Sequence, residues 1–164
     1  MAEMIRIGEQ GPELSIKDQH GDEFHLSDAA GKRVLLSFHP LAWTPPCAAQ
    51  MSALEAHLDD LRSLDTIAVG ISIDSVQSKI AWARSLGIRD TRLLADFWPH
   101  GEVATRYGLF REKNGFSERA NIVLDEDRTV IFAKIYPIHD VPDIEEVLRF
   151  IGHEAPRTGE FTEI

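Results

Sequence analysis

The sequence predicts an α/β fold in which helices flank a central mixed β-sheet. Val34–His39 is an apolar run of strand length, and Pro40 ends it because proline has no N–H for a sheet ladder. A helical pattern and a second apolar run, Thr66–Ile73, come next, and this order predicts two parallel strands. Two later β-rich runs, Arg119–Leu124 and Thr129–Tyr136, flank a polar break that favours an antiparallel hairpin. The predicted sheet is therefore mixed.

A separate β-hairpin is predicted near the N-terminus. Glu13–Leu26 alternates apolar and polar residues on both sides of a turn at His20, Gly21 and Asp22. These three residue types favour tight turns. We expect the hairpin to precede the central strand.

The helix after the central strand is predicted to begin at Thr44 and to run to about Leu61. Threonine is a good N-cap, and Pro45 and Pro46 suit the first helical turn because the N–H groups they lack would have no helical partner there. Apolar residues then recur at helical spacing, at Met51, Leu54, Leu58 and Leu61.

The remaining elements alternate in the same way along the chain. The pattern predicts a helix that Ser75 or Ser78 caps and Gly87 ends, a short strand at Leu93–Ala95, a helix around Glu102–Tyr107 and a final helix at Asp143–Ile151. Residues 1–153 are expected to form a single domain, and residues 154–164 a polar tail that is poorly ordered unless a partner subunit holds it.

Composition narrows the possible partners. The 164 residues are 43% hydrophobic, which suits one domain with a sizeable core, and the net charge of −10 disfavours nucleic acid and anionic membrane surfaces. Met1–Gln10 lacks an apolar signal segment and no apolar run reaches membrane-spanning length. We therefore expect a cytoplasmic protein, and its one cysteine excludes an intramolecular disulfide.

The only cysteine, Cys47, falls in the first turn of the predicted helix, directly after a buried strand. The partial positive charge of a helix N-terminus stabilises a thiolate, which is the reactive form of cysteine. The alternative is a small buried apolar residue, because free cysteine is often fully buried. Placement alone leaves both interpretations open.

Pro40, Thr44 and Cys47 form a Pro-x-x-x-Thr-x-x-Cys motif that resembles the signature of the peroxiredoxins, thiol peroxidases of thioredoxin-like fold. The chain lacks the cysteine-bearing C-terminal extension of two-cysteine relatives, so it resembles the one-cysteine type. The likeness covers roughly Gly8–Ile151 in collinear order, and the segments that carry it include Asp74–Trp82, Leu93–Leu109 and Arg119–Val130.

The resemblance implies a site and an activity. Cys47 would be the nucleophile that attacks a peroxide, Thr44 and Arg119 would hold the thiolate and the peroxide, and Pro40 would shield them. Hydrogen peroxide or organic hydroperoxides would be reduced through a cysteine sulfenic acid, without a cofactor. The Cys47 sulfenic acid would be reduced by an external thiol, either a thioredoxin-like protein or a low-molecular-weight thiol, or through an intersubunit disulfide. The resemblance also implies a homodimer.

Four more residues are candidates for the substrate pocket. His39 precedes Pro40, as a histidine does in one-cysteine relatives, although it could simply be hydrogen-bonded at a strand end. Trp43 lies in the loop between Pro40 and Thr44 and could line the pocket, whereas isolated tryptophans usually serve in packing. Pro46 lacks the backbone N–H that can bind peroxide in the family. Gln50 replaces a glutamate that many relatives use near the arginine.

Other chemistries are disfavoured by the same residues. Gln50 occupies the second position of a Cys-x-x-Cys motif, which removes dithiol exchange and a zinc ligand together. The seven histidines have no ligand spacing, so no metal is expected, and no glycine-rich phosphate loop is present. The rival hypothesis is a non-enzymatic redox sensor or interaction module of thioredoxin fold, which thiol-dependent turnover would distinguish from a peroxidase.

Overall fold

The computed structural model describes residues 3–153 of the chain. In chain order the elements are β1 (Ser15–Lys17), β2 (Glu23–His25), a 3₁₀ turn (Leu26–Ala29), β3 (Arg33–Phe38), α1 (Pro45–Ala56), α2 (Leu58–Ser63), β4 (Thr66–Ser72), α3 (Val76–Leu86), β5 (Arg92–Ala95), α4 (Glu102–Arg106), β6 (Phe110–Arg111), β7 (Phe116–Ser117), β8 (Arg119–Leu124), β9 (Val130–Tyr136) and α5 (Ile144–His153).

Five strands form the central mixed sheet, in the order β5-β4-β3-β8-β9. The central strand β3 pairs with β4 in parallel and with β8 antiparallel, and all six of its residues are buried. Its alternate side chains enter the two apolar cores on opposite faces of the sheet, with Leu36 on one side and Leu35 on the other. This sheet, its helices and the N-terminal β1–β2 hairpin are the predicted thioredoxin-like architecture.

The register of β3 and β8 determines where a site can form. Phe38, the last residue of β3, lies opposite Ala120, the second residue of β8. The carboxyl end of β3, from which the chain runs into α1, therefore meets the start of β8. Residues that follow β3 and residues that open β8 come together at this edge of the sheet.

Two details differ from the sequence prediction. The single helix predicted to run to about Leu61 is wrong, because the chain leaves the helical conformation at His57 (φ −106°, ψ 22°) and restarts as α2. The His57 ring bonds Asp60 in the first turn of α2, with Nδ1 2.9 Å from Oδ2. The short β6–β7 hairpin was also not predicted. Among the described residues no helix is both long and apolar enough to span a bilayer.

Candidate active site

Cys47 lies in the first turn of α1, at the edge of the sheet where β3 ends and β8 begins. Its side chain is fully buried. Arg119, the first residue of β8, donates from Nη1 to the Cys47 sulfur over 3.3 Å. Two residues that are 72 positions apart in sequence are therefore in direct contact.

Each of the three guanidinium nitrogens of Arg119 donates at least one hydrogen bond. Nε and Nη2 both donate to the carbonyl oxygen of Ile138, and Nη1 also donates to Gln50 Oε1 over 2.8 Å. Arg119 is only 2% exposed, and its hydrogen-bond partners are a carbonyl, an amide and Cys47. A buried cation that lacks a carboxylate among its partners is costly until an opposite charge forms next to it. The Cys47 sulfur is therefore in direct contact with this buried charge.

The start of α1 has an unusual donor arrangement. Thr44 occupies the N-cap position, but its hydroxyl donates to the carbonyl of Leu41 over 3.1 Å instead of capping the helix. Pro45 and Pro46 fill the first two helical positions and carry no N–H. The backbone N–H of Cys47 is therefore the first one that the helix offers at this end.

A cleft of about 140 Å³ opens beside this cluster. It brings together the predicted residues Pro40, Thr44, Pro46 and Arg119. The other side chains that line it are Leu41, Phe116, Ile138 and His139. The wall is thus largely apolar, and Arg119 is both part of this wall and the hydrogen-bond donor to Cys47.

His39 lies behind the cleft, fully buried against Lys79 of α3. The two side chains meet with Lys79 Nζ 3.0 Å from His39 Nε2, and the His39 ring packs on Trp82. Burial, and secondly the charge of Lys79, hold the pKa of His39 well below its usual value. Burial also lowers the pKa of Lys79 to about 7, against the opposing pull of Asp74, Cys47 and Asp96. His39 is therefore a neutral acceptor for a buried amine.

Trp43 does not line the cleft. It adopts a left-handed backbone conformation (φ 76°), and its half-exposed indole donates to Ser78 Oγ of α3 over 3.0 Å. The neighbouring Ala42 N–H donates to Asp74 Oδ2 over 2.8 Å. These two bonds tie the loop before Cys47 to the start of α3.

The sequence pattern missed two groups around this site. Lys79 has a visible signal in retrospect, because it precedes Trp82 and Ala83 by three and four residues and so occupies their buried helical face. Ser37 and Asn121 are fully buried polar residues on neighbouring strands, within apolar runs that gave no sign of a polar pair.

Known proteins similar to this chain in sequence and in structure are peroxiredoxins and their relatives. The model of the AhpC/TSA family matches residues 7–133. Alkyl hydroperoxide reductase E of Mycobacterium tuberculosis is 34% identical over 141 residues, which are 85% of this chain and 92% of that protein. A peroxiredoxin of Thermoplasma volcanium is 34% identical over 152 residues, which cover 90% and 73% of the two chains. Reduced 2-Cys peroxiredoxin of Plasmodium vivax superposes with a TM-score of 0.81 at 24% identity, covering 90% and 81% of the two chains.

The chain belongs to the AhpC/TSA family of peroxiredoxins. Its function is that of a thiol-dependent peroxidase, and a single cysteine fits a catalytic cycle through sulfenic acid.

Proposed function

We propose that Cys47 is the peroxidatic nucleophile and that Arg119, Thr44 and Pro40 form the rest of the reacting site. The observation that carries this assignment is the 3.3 Å contact between Arg119 Nη1 and the Cys47 sulfur. The guanidinium can donate both to the Cys47 sulfur and to a peroxide oxygen in the cleft. Thr44 would exchange its bond to Leu41 for one to the peroxide, and Pro40 shields the sulfur from bulk water.

The proposed reaction begins when the Cys47 thiolate attacks the terminal oxygen of a hydroperoxide. A sulfur–oxygen bond forms as the oxygen–oxygen bond breaks, and the leaving oxygen takes up a proton to become water or an alcohol. Cys47 is oxidised to a sulfenic acid and the peroxide is reduced. Arg119 and Thr44 stabilise the negative charge as it moves from sulfur to the leaving oxygen.

We propose small hydroperoxides as the substrate class. The cleft volume of about 140 Å³ exceeds the roughly 30 Å³ share of one water molecule in the liquid, and its apolar wall suits a short alkyl group. The name of the mycobacterial relative, alkyl hydroperoxide reductase E, supports this class.

An external thiol is proposed as the reductant, because the chain has one cysteine and cannot form an internal disulfide. The thiol attacks the Cys47 sulfenic acid, water leaves and a mixed disulfide forms. A second thiol then attacks the reductant sulfur of this mixed disulfide, so the two reductant sulfurs form a disulfide and Cys47 leaves as thiolate. Either a thioredoxin-like protein or a low-molecular-weight thiol fits this chemistry.

Consumption of peroxide under multiple turnover tests the proposed function. Reduced protein, excess dithiothreitol and hydrogen peroxide or tert-butyl hydroperoxide are mixed, and peroxide is measured over time. The wild type is expected to consume many equivalents, and Cys47→Ser none above the thiol background. One equivalent consumed without turnover, even with thioredoxin added, would favour the redox-sensor alternative.

We also propose a homodimer in the cytoplasm. Three large aromatic side chains, Trp43, Phe97 and Trp98, are 54%, 52% and 81% exposed. All three lie around the start of α3, where Trp43 bonds Ser78 and the other two line a cavity with Ser75 and Gln77. Exposed aromatic clusters favour association. Sedimentation velocity should show a dimer that Trp98→Glu weakens, and a wild-type monomer at micromolar concentration would contradict the proposal.

A further inference from the structure

Gln50 carries a second set of hydrogen bonds on the side away from Arg119. Its Nε2 donates to Ser37 Oγ over 2.8 Å and to the carbonyl of Phe38 over 3.1 Å. Ser37 in turn donates its hydroxyl proton to Asn121 Oδ1 over 2.7 Å. All of these groups are buried beneath the active site.

The same line of hydrogen bonds continues to the protein surface. Asn121 Nδ2 donates to the hydroxyl oxygen of Tyr136, and that hydroxyl donates to Glu146 Oε1, each over 3.3 Å. The Glu146 carboxylate is held by Lys134 over 2.8 Å. Burial raises the pKa of Tyr136 to about 12, and its bond to Glu146 adds to the effect. Tyr136 therefore keeps its proton.

Each bond in this line fixes the direction of the next one. A carboxylate only accepts, so the proton of Tyr136 points to Glu146 and its oxygen must accept from the Asn121 amide nitrogen. The Asn121 oxygen then faces Ser37 and takes its proton. With that proton committed, Ser37 Oγ can only accept, and it requires the nitrogen of Gln50 to face it.

The consequence reaches Arg119. With Gln50 Nε2 turned toward Ser37 and Phe38, Oε1 must face Arg119 Nη1, where it accepts over 2.8 Å. The opposite amide orientation would set two donors against each other at Arg119 and two acceptors against each other at Phe38.

We propose that Ser37 and Asn121 are positioning residues, which orient the Gln50 amide so that its oxygen holds Arg119 against the Cys47 sulfur. Tyr136 and Glu146 set the direction of this hydrogen-bond chain from the surface. The proposal rests on the proposed role of Arg119 at Cys47. Neither Ser37 nor Asn121 touches the peroxide, and both act through Gln50.

The test measures ionisation of Cys47 and its oxidation separately. Thiolate absorbance in the ultraviolet is followed against pH. The single cysteine makes the signal assignable, and the two tyrosines stay protonated because burial raises the pKa of both. Oxidation is followed by stopped-flow fluorescence with hydrogen peroxide. The variants are Ser37→Ala and Asn121→Leu, each alone and combined with Gln50→Leu.

Ser37→Ala and Asn121→Leu are expected to raise the ionisation midpoint by up to about one pH unit and to slow oxidation about two- to tenfold, the scale of one neutral hydrogen bond. Neither should have a further effect in the Gln50→Leu background, because Gln50 is the group through which they act. The matched control is Thr66→Val, which removes a buried hydroxyl that bonds Leu64 at the far end of β4. It should change neither quantity.

Unchanged ionisation midpoints and oxidation rates in both Ser37→Ala and Asn121→Leu would overturn the proposal. So would shifts of the same size in the wild-type and Gln50→Leu backgrounds. If Asn121→Leu does not fold, Tyr136→Phe interrupts the same chain one bond further out and should give a shift in the same direction. The midpoint needs no peroxide, so it also separates two failures. A shifted midpoint in a protein that peroxide does not oxidise would refute the proposed function and leave this inference standing.

Discussion

Replacement of the buried Lys79 by methionine should change how stability depends on pH. The Lys79 ammonium is fully buried, and its one hydrogen-bond partner among the described residues is His39. Its pKa falls from 10.5 to about 7 on folding. Methionine has a similar length and no charge, so it can fill the same space.

The direction of the effect comes from the lowered pKa. Between about pH 7 and pH 10.5 the unfolded chain binds a proton at Lys79 that the folded protein does not, so this residue makes the wild type more stable as pH rises. Below pH 7 both states are protonated and the cost of the buried charge is fully present. Between about pH 6 and pH 9, Lys79 therefore raises the free energy of unfolding of the wild type by about 3 kcal/mol, at 1.36 kcal/mol per pH unit above the folded pKa.

Urea unfolding at several pH values between 6 and 9 measures this effect. The free energy of unfolding of Lys79→Met minus that of the wild type should fall by about 3 kcal/mol across this range. Loss of the bond to His39 adds an offset that is nearly independent of pH, since burial keeps His39 neutral, so the slope is the test. The control is Lys113→Met at an exposed position, which should give no slope. A difference for Lys79→Met that stays constant with pH would mean that the pKa of Lys79 is not lowered on folding.

Three substitutions at the reacting site test the remaining roles through the stopped-flow rate of Cys47 oxidation. Arg119→Leu should slow it about 10- to 100-fold, the scale of a hydrogen bond to a charged group, whereas a rate within twofold of wild type would remove Arg119 from the site. Thr44→Val should slow it about two- to tenfold and Thr44→Ser much less; equal losses in both would point to packing. Pro46→Val, which restores an N–H beside the cleft, should speed it about two- to tenfold. No gain in a folded Pro46→Val protein would mean that the site binds peroxide without that donor.

Much of the fold could be predicted because local pattern and tertiary structure agree. The central strand is mostly apolar and is buried throughout, and Pro40 ends it two residues after Phe38. Gly87 ends α3 in the left-handed conformation, and Ser75 caps its start by accepting from Ser78 N–H. At His57 no proline or glycine marks the break, so the periodicity of α1 appeared to continue into α2.

The site could be predicted only where residues are close in sequence or where the family motif names them. Pro40, Thr44 and Cys47 fall in one short segment that runs from the end of β3 into the first turn of α1, and the resemblance supplied Arg119 from a distant strand. The manner in which Arg119 is held depends on Ile138 and on the orientation of the Gln50 amide. Such contacts between distant segments leave no periodic signal in the sequence.

The proposed reaction requires that the Cys47 thiolate attacks peroxide and becomes a sulfenic acid. The most direct measurement is a single-turnover reaction of reduced protein with a limiting amount of hydrogen peroxide, followed by intact mass analysis with and without dimedone. We expect one oxygen atom to be added to the protein for each peroxide molecule consumed, at a rate proportional to peroxide concentration. A dimedone adduct should map to Cys47, and Cys47→Ser should remain unmodified. Unmodified wild type, or an oxygen on a methionine instead of Cys47, would contradict the assignment of Cys47 as the nucleophile.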